Sequence, residues 1–301
     1  MSPRVLACVV AYLPQADRLA ALIERLLPDV AGLLVIDNGQ TIDPQAAPWN
    51  QMQGVQWYRA SRNLGMGAAL EIARGRVLAE GYDFLLSFDQ DSLPPPGYVP
   101  QLLGIWAREA DATWAALGAA VVDEATGAPL PVTRVDGRGG LVASSALVPG
   151  PAAAVDHVIT SGCLVAAPAL AAVGPFRADW FIDLVDTEWC WRARHRGLAV
   201  VQTGDVAMVH TIGRAGVRVL GRRVLAHAPA RVYFQVRNAL WLLRSREVPA
   251  GWRRHLVAPL LRKVVLQALL PDQRLARWGA VARGGWQGLV GRPDAQDRSR
   301  V

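Results

Sequence analysis

The sequence predicts an α/β fold in which helices cover both faces of a largely parallel sheet. The first observation is the near-continuous apolar character of segments such as "RVLACVVAYL" (4–13), "GLLVIDN" (32–38) and "FLLSF" (84–88), which is typical of buried parallel strands. The second is the helical spacing of apolar residues between these segments. The third is the apolar content of 52% in 301 residues, enough for a large core. The chain is therefore expected to wind in the Rossmann manner at least through residue 91.

The predicted strands and helices alternate along the chain. Strands are expected at 4–13, 32–38, 55–60, 84–88, around 113–123, at 157–167 and, as a final pair of short strands, at 198–210. Helices are expected at 19–27, 66–80, 98–110 and 185–197, the last closed by Gly197. Residues 123–156 are rich in Gly, Pro and Ala without a clear period, which predicts a loop or a hairpin insertion. Beyond residue 211, a Gly/Arg-rich stretch precedes two or three helices.

Charge is distributed unevenly along the chain. Residues 1–191 carry 11 Arg and 20 acidic residues, a net charge of −9, whereas residues 192–301 carry 20 Arg, one Lys and 5 acidic residues, a net charge of +16. Such a split suggests that the C-terminal part meets a membrane surface, a phosphorylated ligand or nucleic acid. The same bias towards Arg, alongside abundant Ala, is also what a GC-rich genome produces.

Composition also bounds the cellular context. No run of eighteen apolar residues is present, so no membrane-spanning helix is expected, and the N-terminus shows no cleavable signal pattern. Cys8, Cys163 and Cys190 are far apart and lack CxxC spacing. This pattern argues against a disulfide framework and against a zinc site, and it predicts buried free thiols.

Polar residues follow several predicted strands. In an open parallel sheet, ligands bind beyond the carboxyl ends of the strands. The candidate groups at these ends are Ala11-Tyr12, Asp37-Asn38, Arg62-Asn63 and Asp89 with Asp91. Asp37 suits a hydrogen bond to the base or ribose of a nucleotide. The alternative is that Asp37 is a turn residue, because "DNG" is a strong turn signal.

The segment "NLGMGAALE" (63–71) superficially matches a dinucleotide-binding fingerprint. However, Leu70 occupies the third glycine position, and no acidic residue closes the next strand at the usual spacing. This argues against a nicotinamide or flavin site. The two glycines are instead expected to allow close backbone approach at the start of a helix.

The "DQD" segment carries the most specific signal. Asp89 and Asp91 would repel each other in an extended segment unless a cation lies near them. Carboxylate oxygens suit a hard ion such as Mg²⁺ or Mn²⁺, which also binds substrate phosphates. A solvated turn is the alternative interpretation, but delivery of both carboxylates to the ligand edge of the sheet favours a cation site.

Further acidic residues and one histidine follow in the second half of the chain. Asp183, Asp186 and Glu188 lie beside a predicted helix start, where they either match the helix dipole or include a general base facing a cleft. His210 ends a short predicted strand. A lone histidine is usually structural, but this one is also a candidate third metal ligand.

Taken together, these motifs resemble a known family. They are "VVAYLP", "VIDNG", "RNLGMGAAL", "LSFDQDSLP", "ITSGCLVA", "GPFRADWFIDLVDTEWCWRARHRG", "VAMVHTIG" and "RVYFQVRNALWLLR". In this order they resemble the bacterial family-two glycosyltransferases of the GT-A fold, in the rhamnosyltransferase branch that builds O-antigen and exopolysaccharide. The resemblance covers about residues 4–245.

The resemblance implies a fold, a reaction and its partners. The fold is GT-A, α/β with a mixed central sheet: a catalytic domain at 1–215 with a nucleotide-sugar half (1–95) and an acceptor half (96–215), followed by a basic helical region at 216–301. The implied reaction is inverting, Mg²⁺- or Mn²⁺-dependent transfer from a nucleotide-sugar, dTDP-L-rhamnose first of all. The acceptor would be a saccharide or a polyprenyl-diphosphate-linked saccharide of lipopolysaccharide or another cell-surface polysaccharide.

The resemblance also assigns roles to residues. Asp186 is the general base, and Asp89, Asp91 and His210 hold the metal. The residues expected to bind the donor are Ala11, Tyr12, Asp37, Asn63, Asp89, Gln90 and Asp91. Those expected on the acceptor side are Ser161, Gly162, Trp180, Asp183 and Glu188. Arg237 and Asn238 match a feature of the branch without a stated role, and "QTIDPQAAPWN" (40–50) lacks the family signature, which leaves the nucleotide base open.

Two alternatives stay open for the basic C-terminal region. The helix "WRRHLVAPLLRKVVLQALL" either lies on anionic lipid through Arg253, Arg254, Arg262 and Lys263, or packs on the catalytic domain with a solvated basic face. The protein is expected in the cytoplasm, free or on the inner face of the cytoplasmic membrane, and self-association into a homo-oligomer is left open.

Two rival functions differ from glycosyl transfer. A non-catalytic nucleotide-sugar or nucleic-acid binder would use the basic tail with Trp241, Trp252, Trp278 and Trp286, but it leaves the acidic residues unexplained, so no nucleic-acid partner is expected. A nucleotidyltransferase would carry a Gly/Lys-rich phosphate loop near the N-terminus, and the sequence has none.

Overall fold

The predicted parallel strands form one half of a mixed eight-stranded sheet in the computed structural model. The model describes residues 2–124, 127–130, 132–135, 141–144, 149–210, 216–219, 222–225, 227–270 and 272–291. The strands are β1 (Val5–Ala11), β2 (Gly32–Asp37), β3 (Val55–Arg59), β4 (Phe84–Asp89), β5 (Trp114–Asp123), β6 (Val132–Val135), β7 (Leu141–Ser144), β8 (Ala153–Ala154), β9 (Cys163–Ala166), β10 (Ala199–His210), β11 (Gly216–Val219) and β12 (Arg222–Leu225). The sheet runs β3-β2-β1-β4-β9-β5-β10-β8, while β6-β7 and β11-β12 form separate two-stranded sheets.

Eight α-helices accompany these strands in the described part of the chain. They are α1 (Ala16–Leu26), α2 (Gly65–Glu80), α3 (Tyr98–Glu109), α4 (Ala167–Val173), α5 (Val185–His195), α6 (Pro229–Arg244), α7 (Ala250–Leu269) and α8 (Arg274–Val290). The apolar spacing that predicted α1 is the spacing that packs it, since Leu19, Leu22, Ile23 and Leu26 are all buried. Strands β1, β2 and β4 are equally buried, because helices cover both faces of the sheet, whereas the edge strand β3 is only partly buried.

The parallel winding ends at β4. Strands β1, β2, β3 and β4 are parallel, but β9 lies antiparallel between β4 and β5. Gly162, with φ of +76°, makes the entry into β9 possible: a Cβ atom there would collide with the Tyr98 hydroxyl group. Its amide donates to the Ser87 carbonyl at 2.7 Å, and its own carbonyl accepts from the Tyr98 hydroxyl at 2.7 Å.

Two predicted strand boundaries were wrong. The strand expected from residue 157 begins only at Cys163, because the residues before it turn away from the sheet and bond to side chains of the site. The two short strands expected at 198–210 are one strand, β10, with a register shift against β5 between Thr203 and Ala207. At this irregularity the Asp205 amide donates to the Thr203 hydroxyl at 3.1 Å.

The insertion at 123–156 contains the predicted hairpin. Strands β6 and β7 pair antiparallel, and the short β8 adds to the edge of β10. The three cysteines are buried free thiols, as predicted. Burial raises the pKa of Cys8 and that of Cys190 to about 12, so neither thiol is a ready nucleophile.

The C-terminal helices pack on the core of the sheet domain. Trp241, Leu242, Val248 and Trp252 are buried in the same apolar cluster as the central strands. Trp252, near the start of α7, meets Trp191 of α5 edge-on with ring centroids 5.4 Å apart. The predicted domain boundary between residues 215 and 216 falls at the edge of 211–215, which lie outside the described residues, so it stays a prediction.

Candidate active site

Two consecutive residues connect the two halves of the candidate site. The Thr160 amide and hydroxyl donate to Asp186 Oδ2 at 3.1 and 3.3 Å. The next residue, Ser161, accepts a hydrogen bond from the Asp89 amide at 3.2 Å and lies 2.5 Å from the Ser92 hydroxyl. Neighbouring Cα atoms are about 3.8 Å apart, so the predicted base and the DQD segment share one support. Ser161, predicted on the acceptor side, is buried and braces this segment.

The DQD segment forms a turn at the end of β4. The Ser92 amide donates to the Asp89 carbonyl at 3.2 Å, and Asp89 and Asp91 are both half-buried. Gln90 between them points to β1: its Oε1 accepts from the Tyr12 amide at 2.6 Å, and its Nε2 donates to the Tyr12 carbonyl at 3.1 Å. The glutamine therefore anchors the turn, while the carboxylates on either side are not used for this purpose.

The end of β2 carries a buried carboxylate. Asp37 is fully buried, and its oxygens accept from the Thr41 amide at 2.9 Å and the Ile42 amide at 3.0 Å. Ala11, beside it in the sheet, accepts from the Asn38 amide at 2.7 Å. In this arrangement Asp37 orders the loop after β2. The exposed ring at this edge belongs to Tyr12, 46% accessible and packed beside Gly39.

The start of α2 joins this edge to the acceptor side. Asn63 Oδ1 accepts from the Gly65 amide at 2.9 Å, and the buried Asn38 accepts from the Leu64 amide at 2.7 Å. The Phe181 carbonyl accepts from the Met66 amide at 2.5 Å. A Cβ atom at Gly65 would lie 2.5 Å from that same carbonyl oxygen. The close approach predicted for these glycines is confirmed, and its partner is a protein segment.

Asp186 occupies the first turn of α5 and is half-buried. Besides Thr160, its carboxylate accepts from the Thr187 amide at 2.7 Å. Burial lowers the pKa of the nearby His157, and the charge of Asp186 opposes that shift. The imidazole is therefore kept uncharged beside a carboxylate that four protein donors orient, an arrangement suited to a positioned base.

Two other predicted acceptor-side residues have internal partners. Glu188 is buried and pairs with Arg192 at 2.7 Å and with Arg177 at 3.0 Å. Trp180 is 1% exposed and packs against Trp241 with ring centroids 5.9 Å apart. Both side chains stabilise the segment around the base, and their contact with an acceptor stays a prediction.

Asn238 holds the segment that precedes Asp186. Its side-chain amide, fully buried, donates to the carbonyls of Trp180 at 2.8 Å, Ile182 at 2.8 Å and Asp183 at 3.0 Å. Asp183 and Leu184 have positive φ values of 62° and 64°, so this turn needs external support. The sequence showed Asn238 as part of a motif without a role, and the structure supplies that role.

Arg237 and Phe234 reinforce this contact from α6. The Arg237 guanidinium lies over the Trp241 ring at 4.1 Å and donates to the Asp179 carbonyl at 2.5 Å. Phe234 stacks on Phe181 with centroids 4.6 Å apart. The segment 177–184 is thus held between α2 and α6.

A charged pair lies at the same edge. Asp183 accepts two hydrogen bonds from Arg231, from Nε at 3.0 Å and from Nη2 at 2.9 Å. The bond to Asp183 raises the pKa of Arg231, and the charge of Asp89 adds to this effect. Arg231 therefore lies within electrostatic reach of the DQD turn, which no sequence motif indicated.

The residues available for a metal ion are those of the DQD turn. In the described part of the chain, no three His, Cys, Asp or Glu side chains come together as a ligand group. The side chain of His210 lies outside that part, but its main chain ends β10, where the neighbouring Val209 bridges to Leu93, two residues after Asp91. The carboxylate oxygens of Asp89 and Asp91 are of the kind that fits a hard divalent cation, and His210 ends β10 next to the residue that bridges to Leu93.

Sequence comparison identifies the family. No family model matches the chain. Over 252 residues the chain is 31% identical to the dTDP-rhamnosyl transferase RfbF of Shigella flexneri, and the match covers 83% of both proteins. The chain belongs to this glycosyltransferase family. The enzyme therefore shares with its relative most of its length.

Solved structures confirm the GT-A fold. The enzyme matches the crystal structure of GalNAc-T7 with UDP, GalNAc and Mn²⁺ at a TM-score of 0.59 and 12% identity, covering 95% of the enzyme and 56% of GalNAc-T7. It matches the crystal structure of S. aureus TarS at a TM-score of 0.58 and 12% identity, covering 97% of the enzyme and 50% of TarS. The crystal structure of S. aureus TarS 1–349 in complex with UDP-GlcNAc matches at a TM-score of 0.54 and 13% identity, covering 95% of the enzyme and 81% of TarS 1–349. The enzyme spans about half the length of the first two structures, and the likeness concerns the fold.

Replacement of Asn238 by Leu is expected to loosen the turn before Asp186. The carbonyls of Ile182 and Asp183, both partly buried, lose the Asn238 donor, at a cost of about 1–3 kcal/mol for each one left unsatisfied, whereas the Trp180 carbonyl still accepts from the Ile182 amide. Amide hydrogen exchange at 180–184 should accelerate, and the free energy of unfolding should fall. The matched control is Gln235→Leu, one turn earlier on α6, where the buried Oε1 has no hydrogen-bond partner among the described residues. Equal exchange rates in the two variants would contradict the role of Asn238.

Proposed function

We propose that the enzyme transfers a sugar from a nucleotide-sugar, dTDP-L-rhamnose first of all, to a hydroxyl group of a saccharide or lipid-linked saccharide with inversion at the anomeric carbon. The observation that carries this proposal is the shared support of Asp186 and the DQD turn by Thr160 and Ser161. It supports the proposal because consecutive residues brace the proposed base and the proposed phosphate-side motif, which a single displacement needs close together. The relative named dTDP-rhamnosyl transferase supports the choice of donor.

The proposed step is one displacement. Asp186 accepts the proton of the acceptor hydroxyl while that oxygen forms a bond to the anomeric carbon. The bond from the anomeric carbon to the diphosphate oxygen breaks at the opposite face, and the nucleoside diphosphate leaves with the electron pair. Thr160 and Thr187 hold the carboxylate of Asp186 in a fixed direction. Little orientational entropy is therefore lost when the transition state forms.

Asp89 and Asp91, with His210, are the residues that would hold Mg²⁺ or Mn²⁺. When bound, such an ion supplies Lewis-acid stabilisation of the leaving diphosphate. The anchoring of Gln90 on Tyr12 supports this assignment, because it fixes the backbone of the turn between the two aspartates.

The nucleoside is proposed to bind at the ends of β1 and β2. The exposed Tyr12 ring offers a stacking surface beside the loop that Asp37 orders. Asn63, which accepts a hydrogen bond from the Gly65 amide at the start of α2, is proposed to lie beside the bound donor. The buried position of Asp37 supports an indirect part in nucleotide binding, through the shape of this loop.

The C-terminal helices are proposed to contact an anionic membrane surface. Helix α8 exposes its large apolar side chains and buries its small ones: Leu275, Trp278, Trp286 and Leu289 are 59–89% exposed, whereas Gly284 and Gly288 pack on α6. The outer face of α7 adds the exposed Leu261, Val265 and Leu269 next to Arg254 and Arg262. Apolar side chains among basic ones are typical of interfacial helices, and a lipid-linked acceptor would lie at such a surface.

No helix in the described residues is long and apolar enough to span a bilayer. The rival nucleic-acid hypothesis loses part of its support, because Trp241 and Trp252 are buried in the core and unavailable for base stacking.

A panel of nucleotide-sugars tests the reaction. Incubation with an acceptor extract should release nucleoside diphosphate from dTDP-L-rhamnose, and Asp186→Asn should lower that release by roughly 10²- to 10⁴-fold with donor binding near normal. Asp17→Asn is the matched control, since Asp17 is also acidic in the first turn of a helix. Retained turnover in Asp186→Asn would reject the base, and no release from any donor would reject the function.

Removal of divalent ions tests the DQD turn. Chelation should abolish turnover, Mn²⁺ or Mg²⁺ should restore it, and Asp91→Asn should weaken Mn²⁺ binding measured by paramagnetic resonance. Asp111→Asn is the control, because Asp111 is an exposed carboxylate that lies after the C-terminal end of α3. This variant should bind Mn²⁺ as the unchanged enzyme does. Full activity after chelation would show that the metal assignment is wrong.

Vesicle sedimentation tests the membrane surface. The enzyme should sediment with phosphatidylglycerol vesicles and not with phosphatidylcholine vesicles, and salt should release it. The double change Trp278→Ser and Trp286→Ser should weaken binding, whereas Leu78→Ser, an exposed apolar residue on α2, should not. If the double variant binds equally well, or if only self-association changes, the lipid assignment fails.

A further inference from the structure

Arg231 is a cation that the proposed reaction leaves without a role, and its charge interacts with that of Asp89 in the DQD turn. It lies in the first turn of α6 and forms the two-pronged contact with Asp183 described above, at 3.0 and 2.9 Å. Its side chain keeps 45% of its accessibility, so the contact does not seal it from the cleft. An exposed ion pair of this kind contributes little stability, about 0–1 kcal/mol.

Other basic residues interact with Arg231. The surrounding protein lowers the pKa of Lys263 on α7, although that side chain is exposed to solvent, and the Arg231 charge lowers it further against the opposing effect of Asp183. Burial lowers the pKa of His227 to about 4, with further lowering by Arg231, Lys263 and Arg277, opposed by Asp183. The His227 imidazole is therefore uncharged at neutral pH and adds no positive charge, and Asp183 and Asp89 are the carboxylates that oppose the charge of Arg231.

The position of Arg231 is fixed by packing. Helix α6 is docked through Asn238 on the carbonyls of 180–183 and through the Phe234–Phe181 stack. The first turn of α6 is thus held next to Asp183 without help from the ion pair. A guanidinium group placed in this way needs no rearrangement of the backbone to meet a ligand.

Two like charges side by side raise the free energy of the folded protein unless an anion lies between or beside them. Asp183 bonds directly to Arg231, and Asp89 opposes the same positive charge from the DQD turn. Functional sites are where such unfavourable charge arrangements collect, and the fork of an arginine matches phosphate oxygens in a two-pronged contact. The ligand chemistry that satisfies Arg231 and Lys263 together beside Asp89 is a diphosphate.

We propose that Arg231, assisted by Lys263, binds the diphosphate of the nucleotide-sugar and stabilises the charge that develops on it as the sugar leaves. This inference rests on the proposed function, from which the identity of the diphosphate follows. Asp183 holds the guanidinium in place when no nucleotide is bound. Arg231 undergoes no covalent change, and it acts on the side of the diphosphate that faces α6.

Equilibrium binding of nucleotides and nucleosides, with Mn²⁺ present, tests the proposal. The unchanged enzyme should bind dTDP more tightly than thymidine. UDP is measured as well, as a nucleoside diphosphate with a different base. Arg231→Gln should weaken dTDP binding by about 10- to 100-fold, the loss of charge-assisted hydrogen bonds, and leave thymidine binding as it was. Lys263→Gln should give a smaller loss that salt diminishes.

Arg246→Gln is the matched control. It removes the same charge from an exposed position beyond the other end of α6, about 20 Å away at 1.5 Å per residue, and should bind dTDP normally. Lys263→Gln gives an independent measurement if Arg231→Gln does not fold.

The outcomes separate the inference from the function beneath it. If the enzyme prefers dTDP to thymidine and both variants keep that preference, the inference is overturned and the transferase proposal stands. If the unchanged enzyme binds no nucleotide, the proposed function itself fails. If Arg231→Gln loses binding of farnesyl diphosphate but not of dTDP, the site belongs to a lipid-linked acceptor, and the assignment to the donor is overturned.

Discussion

The short link Thr160–Ser161 is the contact on which the candidate site depends. One residue holds the carboxylate of Asp186, and the next holds the backbone of Asp89 and the hydroxyl of Ser92. The link stays in place because Gly162 is bonded to Ser87 and Tyr98 at the entry into β9. A strand inserted antiparallel into the sheet therefore sets the spacing between the two ends of the cleft.

A second layer of support comes from outside the Rossmann-like half. Helix α6 supplies Asn238 to the carbonyls before Asp186, Phe234 to Phe181, and Arg231 to Asp183. Helix α6 of the basic C-terminal region thus supports the segment before Asp186. Of the two alternatives left open by the sequence, lying on anionic lipid or packing on the catalytic domain with a solvated basic face, the packing is seen in the structure, and contact with lipid stays a proposal. Buried Trp252 and exposed Leu261 lie on the same helix, α7.

Much of the fold followed from apolar periodicity. Strands such as β1 and β2 are buried on both faces, so their composition is distinctive, and α1 packs through the residues that predicted it. The strand predicted from residue 157 was wrong up to residue 162, because Thr160 and Ser161 bond to side chains rather than to a neighbouring strand. No local sequence pattern reveals such bonds. The acidic motifs were visible as strand ends and helix starts. The contacts of His157, Asn238 and Arg231 were not visible, because each is defined by a partner distant in sequence.

The contact between the start of α2 and Phe181 has a consequence for natural variation. No room remains for a methyl group at Gly65 or at Gly67, since a Cβ atom there would strike the carbonyls of Phe181 and Arg177. A change in the backbone of 177–181 therefore requires a matching change at the start of α2. Relatives that remodel one of these two segments would have to remodel the other with it, so the two segments are not free to diverge one at a time.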